Sequence, residues 1–141
     1  MLFFLAVAIP ASFYFGVNTL TSVAPGSLSF SRGLIKGNVD ICEVSAERIR
    51  IQGWAFVPGV DTNTLVRIFV ENEEGELFEI EARGISRPDV DARFDIGYRN
   101  SLVGFHASSS LPPANAKGHW RVLVIKPDAA NNLHGEYYEC H

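Results

Sequence analysis

The chain has 141 residues and a formal net charge of −4, from 12 lysine and arginine and 16 aspartate and glutamate side chains. This balance is too even to predict a strongly charged partner, and the absence of a basic stripe excludes nucleic acid as an expected partner. The first charged side chain is Arg32, so an uncharged leader precedes an ordinary polar domain.

Residues 1–21 are mostly apolar and are predicted to form a transmembrane anchor or a signal-like helix. A helix of about 20 such residues spans about 30 Å, close to the hydrocarbon thickness of a bilayer. A cleaved secretory signal is the alternative, because Ser22-Val23-Ala24 has the small-residue pattern of a cleavage site. A third interpretation places Met1 within the last span of a larger polytopic membrane protein.

Residues 22–36 contain Pro, Gly and Ser and are predicted to be a linker, and residues 37–141 are predicted to form one domain. Apolar residues of this domain alternate along short segments that Gly, Pro, Asn and Asp clusters separate. This period predicts an all-β fold, an antiparallel β-sandwich of immunoglobulin-like or jelly-roll-like type. The strands are expected within residues 39–44, 48–52, 65–70, 76–82, 103–109, 120–125 and 136–140.

Three local patterns refine this prediction. The Glu-Glu-Gly sequence at 73–75 predicts a hairpin turn. The only helical candidate is a short turn at 90–94, which Asp89 would N-cap. Trp120 precedes a nearly continuous apolar run, typical of a central strand, so we expect this side chain to be buried.

The two cysteines, Cys42 and Cys140, bear on the location of the domain. An exported chain with an even number of cysteines is expected to be bridged, which predicts a Cys42–Cys140 disulfide, with two unrelated buried thiols as the alternative. Arg32 and Lys36 follow the leader and favour the opposite orientation by the positive-inside tendency. We expect a single-pass protein of the cytoplasmic membrane, with the domain on the periplasmic or extracellular side.

Three short signatures occur in a fixed order within residues 49–125. They are Gly53-Trp54-Ala55, Arg87-Pro88-Asp89-Val90 and Gly104-Phe105. This order resembles a group of small bacterial β-sandwich modules found attached to glycosyltransferases and other cell-surface proteins. The resemblance implies an accessory role without a catalytic residue, in carbohydrate binding or in positioning a partner enzyme. Since the chain has no glycosyltransferase domain, it is alternatively the C-terminal fragment of a polytopic membrane glycosyltransferase.

The same signatures have a structural interpretation. Gly53 allows another backbone or a large ring to approach closely, and Trp54 supplies a large core contact. Arg87, held extended by the following proline, is placed to make a forked contact with a carboxylate such as Asp89 or Asp91. The signatures, including Phe105, are therefore expected to be a structural motif that pins a long loop onto the sandwich.

The weak candidates for a ligand-binding surface are Tyr137, Tyr138, His134 and Asn132. Aromatic rings beside amide groups are typical of carbohydrate recognition, and Tyr137 and Tyr138 must face opposite sides of a strand because they are consecutive. One of the two rings is therefore expected at the surface.

No catalytic constellation, cofactor site or metal site is predicted. The four histidines lack zinc-binding spacing, and Arg93 interrupts the calcium-like spacing of Asp89, Asp91 and Asp95. The expected function is that of a non-enzymatic, membrane-anchored accessory module in cell-envelope glycan metabolism. Its expected partners are the lipid bilayer and a membrane enzyme or a cell-envelope glycan. The alternative is a structural protein–protein interaction domain without sugar affinity.

Overall fold

The computed structural model of the chain describes residues 20–24, 26–45, 48–59, 66–96, 102–110 and 118–140. Within these ranges it has ten strands and one short helix. They are β1 (Thr21–Val23), β2 (Ser31–Arg32), β3 (Lys36–Val44), β4 (Arg48–Phe56), β5 (Arg67–Glu71), β6 (Leu77–Ile80), β7 (Ala82–Ile85), α1 (Pro88–Phe94), β8 (Gly104–Ser110), β9 (Arg121–Pro127) and β10 (Leu133–Glu139).

The strands form two sheets. A six-stranded sheet has the order β1-β6-β5-β9-β10-β2, and a four-stranded sheet has the order β3-β4-β8-β7. The strand pairs are antiparallel, apart from the parallel pair of β2 and β10. Buried side chains of β4, β5, β8 and β9 form the core between the sheets. The prediction of an all-β, two-sheet fold is confirmed, and the arrangement is consistent with a β-sandwich.

Strand β9 is buried on both of its faces. Val122 and Val124 belong to the core between the sheets, whereas Leu123 and Ile125 face the other side, and all four are 0% exposed. Leu123, Ile125 and the neighbouring Phe69 of β5 form an outer cluster on the six-stranded sheet. The apolar run that predicted a central strand therefore reflects a sheet that is apolar on both faces.

A short segment of the chain covers this outer cluster. Strand β1 pairs with β6 and β2 pairs with β10, on opposite sides of the sheet's four central strands. The connecting residues 24 and 26–30, here called the strap, therefore cross the outer face. Leu28 and Phe30 of the strap pack against the outer cluster. Burial of this apolar face from water is the physical reason for the crossing.

The strap lies within residues 22–36, the segment predicted to be a linker. Two short strands and the covering side chains of this segment belong to the two-sheet fold. Most of the predicted membrane segment, residues 1–21, lies outside the described residues. Among the residues that are described, no helix is long and apolar enough to cross a membrane.

The predicted hairpin is confirmed, since β5 and β6 are antiparallel and Gly75 adopts a φ of +80° in the turn between them. The segment expected to form one strand at 76–82 is divided between the sheets. Strand β6 belongs to the six-stranded sheet and β7 to the four-stranded sheet, with only Glu81 between them. One extended segment therefore passes from one sheet to the other.

The prediction that Asp89 is the N-cap of the helix is wrong. Helix α1 begins at Pro88 after the cap residue Arg87, which makes no side-chain capping hydrogen bond. Proline suits the first helical position, because its fixed φ is helical and a backbone N–H is not needed there. Asp89 consequently occupies the second position, and Asp95 ends the helix in a left-handed conformation with a φ of +49°.

The predicted disulfide is present between Cys42 of β3 and Cys140, directly after β10. The two Cα atoms are 5.3 Å apart, within the usual range for a bridged pair. The bond connects the two sheets and closes a loop with a sequence separation of 98 residues. In the chain-entropy account, a loop of this length stabilises the fold by nearly 5 kcal/mol, an approximate upper value.

We expect Gly135→Ala to lower the free energy of unfolding by about 2 kcal/mol, as overpacking does in a tight contact. A Cβ atom at position 135 would lie 2.5 Å from a ring carbon of Phe30. Urea unfolding should show a smaller loss of unfolding free energy when Gly135→Ala is made in a Phe30→Ala background. An equal loss in both backgrounds would show that the strap contact is not the cause.

Candidate functional site

The strap covers the outer face of the six-stranded sheet, whereas α1 covers only one end of the outer face of the four-stranded sheet. Val90 and Phe94 of the helix pack with Phe56 and Trp54 of β4. Beyond this cluster, the outward positions of the four strands carry mostly polar side chains, here called the open face. They are Ile41, Glu43, Arg48, Arg50, Gln52, Arg83, His106, Ser108 and Ser110.

One row of the open face crosses all four strands. The strand register places Gln52 of β4 between Ile41 and His106, and Arg83 of β7 beside His106. These four residues are here called the recognition row. Arg83 is exposed and the other three are partly exposed, so ligand atoms can reach the row.

Two members of the recognition row are joined by a hydrogen bond. The Nε2 atom of Gln52 and the Nδ1 atom of His106 are 2.8 Å apart. When the amide nitrogen donates this bond, the neutral imidazole carries its proton on Nε2 and can donate to a ligand from there. The bond fixes the orientation of both planar groups, and the amide oxygen of Gln52 supplies an acceptor.

The neighbouring row adds a guanidinium group that is already engaged. The Nη2 atom of Arg50 donates to Oε1 of Glu43 at 3.0 Å. By contrast, Arg83 has no ion pair with any carboxylate in the described part of the chain. Its planar set of donors is therefore free to bind a ligand oxygen.

The forked contact predicted for Arg87 is confirmed. Its Nε and Nη2 atoms donate to the two carboxylate oxygens of Asp89, each at 2.9 Å, and Nη1 donates to Asp40 at 2.8 Å. The hydrogen bond from Arg87 lowers the pKa of Asp89 to about 2. Since Asp40 lies at the irregularity of β3 and Asp89 in α1, this arginine fastens the helix to the edge of the sheet.

The other motif residues also have structural contacts. A Cβ atom on Gly53 would lie 2.2 Å from the backbone oxygen of Asn38 and 2.8 Å from the ring of Phe105. Both kinds of close approach that were predicted for this glycine are thus confirmed. Trp54 is half-buried, and its ring centroid lies 5.1 Å from that of Phe94 under the helix.

The two tyrosines proposed as ligand contacts lie on opposite faces of β10, as predicted. Tyr138 packs against the core between the sheets, and burial raises the pKa of its phenol. Tyr137 packs with the outer cluster beneath the strap. The guanidinium carbon of Arg121 lies 3.9 Å from the centroid of the Tyr137 ring, so this ring face is occupied.

His134 and Asn132 lie near the start of the same strand but differ in accessibility. His134 is 6% exposed, and its Nε2 atom lies 2.8 Å from Oδ2 of Asp128. This hydrogen bond is the main reason why the pKa of Asp128 is lowered. Asn132 is exposed in the turn before β10. The four predicted ligand contacts therefore do not share one surface.

A cleft of about 470 Å³ lies between the strap and the β5–β6 turn. Tyr137 and Leu123 line it, together with carboxylates such as Glu71, which accepts a hydrogen bond from Arg121 at 2.7 Å. Its size suits a small ligand. However, Arg121 covers one face of the Tyr137 ring, so this face is not available to stack a sugar.

Sequence reasoning did not single out the recognition row. The outward positions of β4 do alternate in the sequence, as Arg48, Arg50 and Gln52, and this pattern marks a solvent-facing side of the strand. The pairing of Gln52 with His106, 54 residues away, depends on strand register and has no local signal. Within the described residues, no three His, Cys, Asp or Glu side chains form a group that could hold a metal ion.

Comparisons of the chain with protein-family models, with curated proteins and with solved structures find no match. The similarity to glycosyltransferase-associated modules therefore rests on the three signatures, and it stays a prediction.

We expect Arg87→Gln to raise the pKa of Asp89 from about 2 towards its ordinary value of 3.8. Because the folded-state pKa lies below the unfolded value, ionised Asp89 stabilises the wild-type fold above about pH 4, and this contribution is lost as the pH falls towards 2. Carboxyl-carbon NMR titration measures the shift. Asp128, which pairs with His134, serves as the internal control, and an unchanged Asp89 midpoint would contradict the assignment.

Proposed function

We propose that the chain is a non-catalytic, membrane-anchored accessory module on the outer side of the cytoplasmic membrane, and that its open face binds a carbohydrate of the cell envelope. The observation that carries the proposal is the recognition row, in which Gln52, His106 and Arg83 lie side by side and accessible. In the described part of the chain, the strap packs on the outer face of the other sheet, where Arg121 is already paired with Glu71.

The chemistry of the recognition row suits a sugar. Neighbouring hydroxyl groups of a pyranose donate and accept hydrogen bonds at fixed spacing, and planar amide, imidazole and guanidinium groups supply matching donors and acceptors. The hydrogen bond between Gln52 and His106 orders these side chains before a ligand arrives. Less side-chain entropy is then lost on binding.

Location outside the cytoplasm is supported by the Cys42–Cys140 disulfide, because such bonds persist in oxidising compartments. Membrane anchoring is supported by the uncharged sequence of residues 1–21. An anchor would hold the module near membrane enzymes of glycan metabolism and raise its effective concentration there. The bridged fold, the leader and the polar open face together favour an accessory module of the cell surface.

We expect Arg83→Gln and Gln52→Ala each to weaken glycan binding about tenfold, the effect of losing one to two hydrogen-bonding contacts. Calorimetry with a panel of neutral, acidic and amino oligosaccharides measures the affinity, and unfolding curves check that each variant is folded. Arg93→Gln is the matched control, since it removes the same charge from an exposed arginine of α1. Failure of every glycan to bind the wild-type protein would overturn the carbohydrate proposal.

We expect both cysteines in intact cells to react with a membrane-impermeant maleimide only after reduction, because the disulfide blocks them and the domain is accessible from outside. The full-length protein and Cys42→Ser are compared. In the variant, the thiol of Cys140 has lost its partner and should label without reduction. Free thiols that react only after lysis would instead put the domain in the cytoplasm and rule out the proposed location.

A further inference from the structure

Two large apolar side chains are strongly exposed in the described part of the chain. Leu34, between β2 and β3, is 53% exposed, and Leu102, before β8, is 41% exposed. Scattered single leucines at a surface need no explanation, so their positions relative to each other and to the chain's path decide their significance.

Both leucines lie at the same end of the fold, here called the leader end, where β3 and β8 begin and β4 and β7 end. Leu34 is two residues before Lys36, which pairs with Phe56 at the end of β4. Leu102 is level with Phe56, because the next residue, Val103, accepts a hydrogen bond from the backbone of β4. The opposite end carries the Cys42–Cys140 bond and is here called the disulfide end.

The first strand of the fold begins on the side of the leader end. Strands β1 and β6 are antiparallel, with Thr21 opposite Glu79 and Val23 opposite Leu77, so β1 begins beside the last residues of β6. Strand β6 continues across one residue into β7, and β7 ends beside the start of β8, which is at the leader end. The last residues of β6, and with them Thr21, the first residue of β1, therefore lie on the side of the leader end.

No free tether separates the leader from the fold. Strand β1 begins at Thr21, the last residue of the proposed membrane segment, and the strap and β2 follow it within the fold as far as Arg32. A segment that spans the bilayer and ends at this point must hold the domain against the membrane surface. The surface turned towards the bilayer is then the one from which the leader departs.

We propose that the leader end rests on the outer surface of the lipid bilayer, with Leu34 and Leu102 inserted among the headgroups. This inference depends on the proposed membrane anchor, but it is independent of carbohydrate binding. Transfer of exposed apolar side chains from water into the interfacial layer is favourable in free energy. The anchor holds these side chains at a high effective concentration near the membrane, so even a weak contact can form.

The charged groups at the leader end are compatible with an interfacial position. The ammonium group of Lys36 lies 5.8 Å above the Phe94 ring, and a flexible lysine can extend its charge into the aqueous headgroup layer. Asp95 at the end of α1, Asp128 beside His134 and the ion pair between Arg67 and Glu79 also lie near this end. Carboxylates remain hydrated at headgroup depth, which limits insertion to the leucine side chains.

The test uses the full-length protein in phosphatidylcholine nanodiscs that contain a headgroup spin-labelled lipid. We expect amide signals next to Leu34 and Leu102 to relax at least twice as fast as in unlabelled discs, whereas the β5–β6 turn at 72–76 is unaffected. The double variant Leu34→Gln, Leu102→Gln should lose at least half of this enhancement and still remain in the disc. Glu74→Gln, in the turn at 72–76, is the control variant and should leave the pattern unchanged.

Each other outcome overturns the inference in an identifiable way. If the protein is retained in the disc but the amide signals at both ends relax equally, the membrane anchor is supported and the proposed surface contact is refuted. Signals near Leu34 and Leu102 that shift with the number of proteins per disc, without lipid-dependent relaxation, identify a second copy as the occupant. If the protein does not enter the disc, the membrane anchor is refuted. The anchoring part of the proposed function and this inference are then both refuted.

Discussion

Burial of both faces of the six-stranded sheet is the constraint on which the rest of the structure depends. Strand β9 has no polar side at its centre, so one sheet packed against it cannot exclude water from Leu123 and Ile125. Leu28 and Phe30 of the strap pack against the outer cluster that contains these two side chains and exclude water from it. Because the strap connects β1 to β2, the covering of the outer face and the pairing of these two edge strands are determined together.

Edge strand β3 is held at two positions that flank Ile41, and this restrains the recognition row. Asp40 binds Arg87 on the approach to α1, and Cys42 is bonded to Cys140 of the other sheet. Ile41, the member of the row that β3 contributes, lies between these two attachments. The structural motif and the disulfide thus act on the same strand, and both limit the freedom of the open face.

Local patterns in the sequence predicted much of the fold. Alternation gave the strands, the apolar run after Trp120 gave β9, and Gly53 indicated a close approach that the structure confirms. The strap was interpreted as a linker, because its Pro, Gly and Ser content obscures the two apolar side chains that face the sheet. The recognition row could not be predicted, since the contact of Gln52 with His106 depends on the register of strands distant in sequence.

The direction of the strands relates the two proposed surfaces to each other. The strands of the four-stranded sheet run between the leader end and the disulfide end, and the recognition row crosses them. If the leader end rests on the bilayer, the strands of the four-stranded sheet point away from the membrane. The recognition row, which crosses these strands, then runs parallel to the membrane surface, about halfway between the leader end and the disulfide end. A glycan bound across the row would extend parallel to the bilayer, alongside any enzyme anchored nearby. In this proposed arrangement, the open face would accept a glycan chain that runs past the domain, whereas a chain that approaches along the membrane normal would meet only the disulfide end.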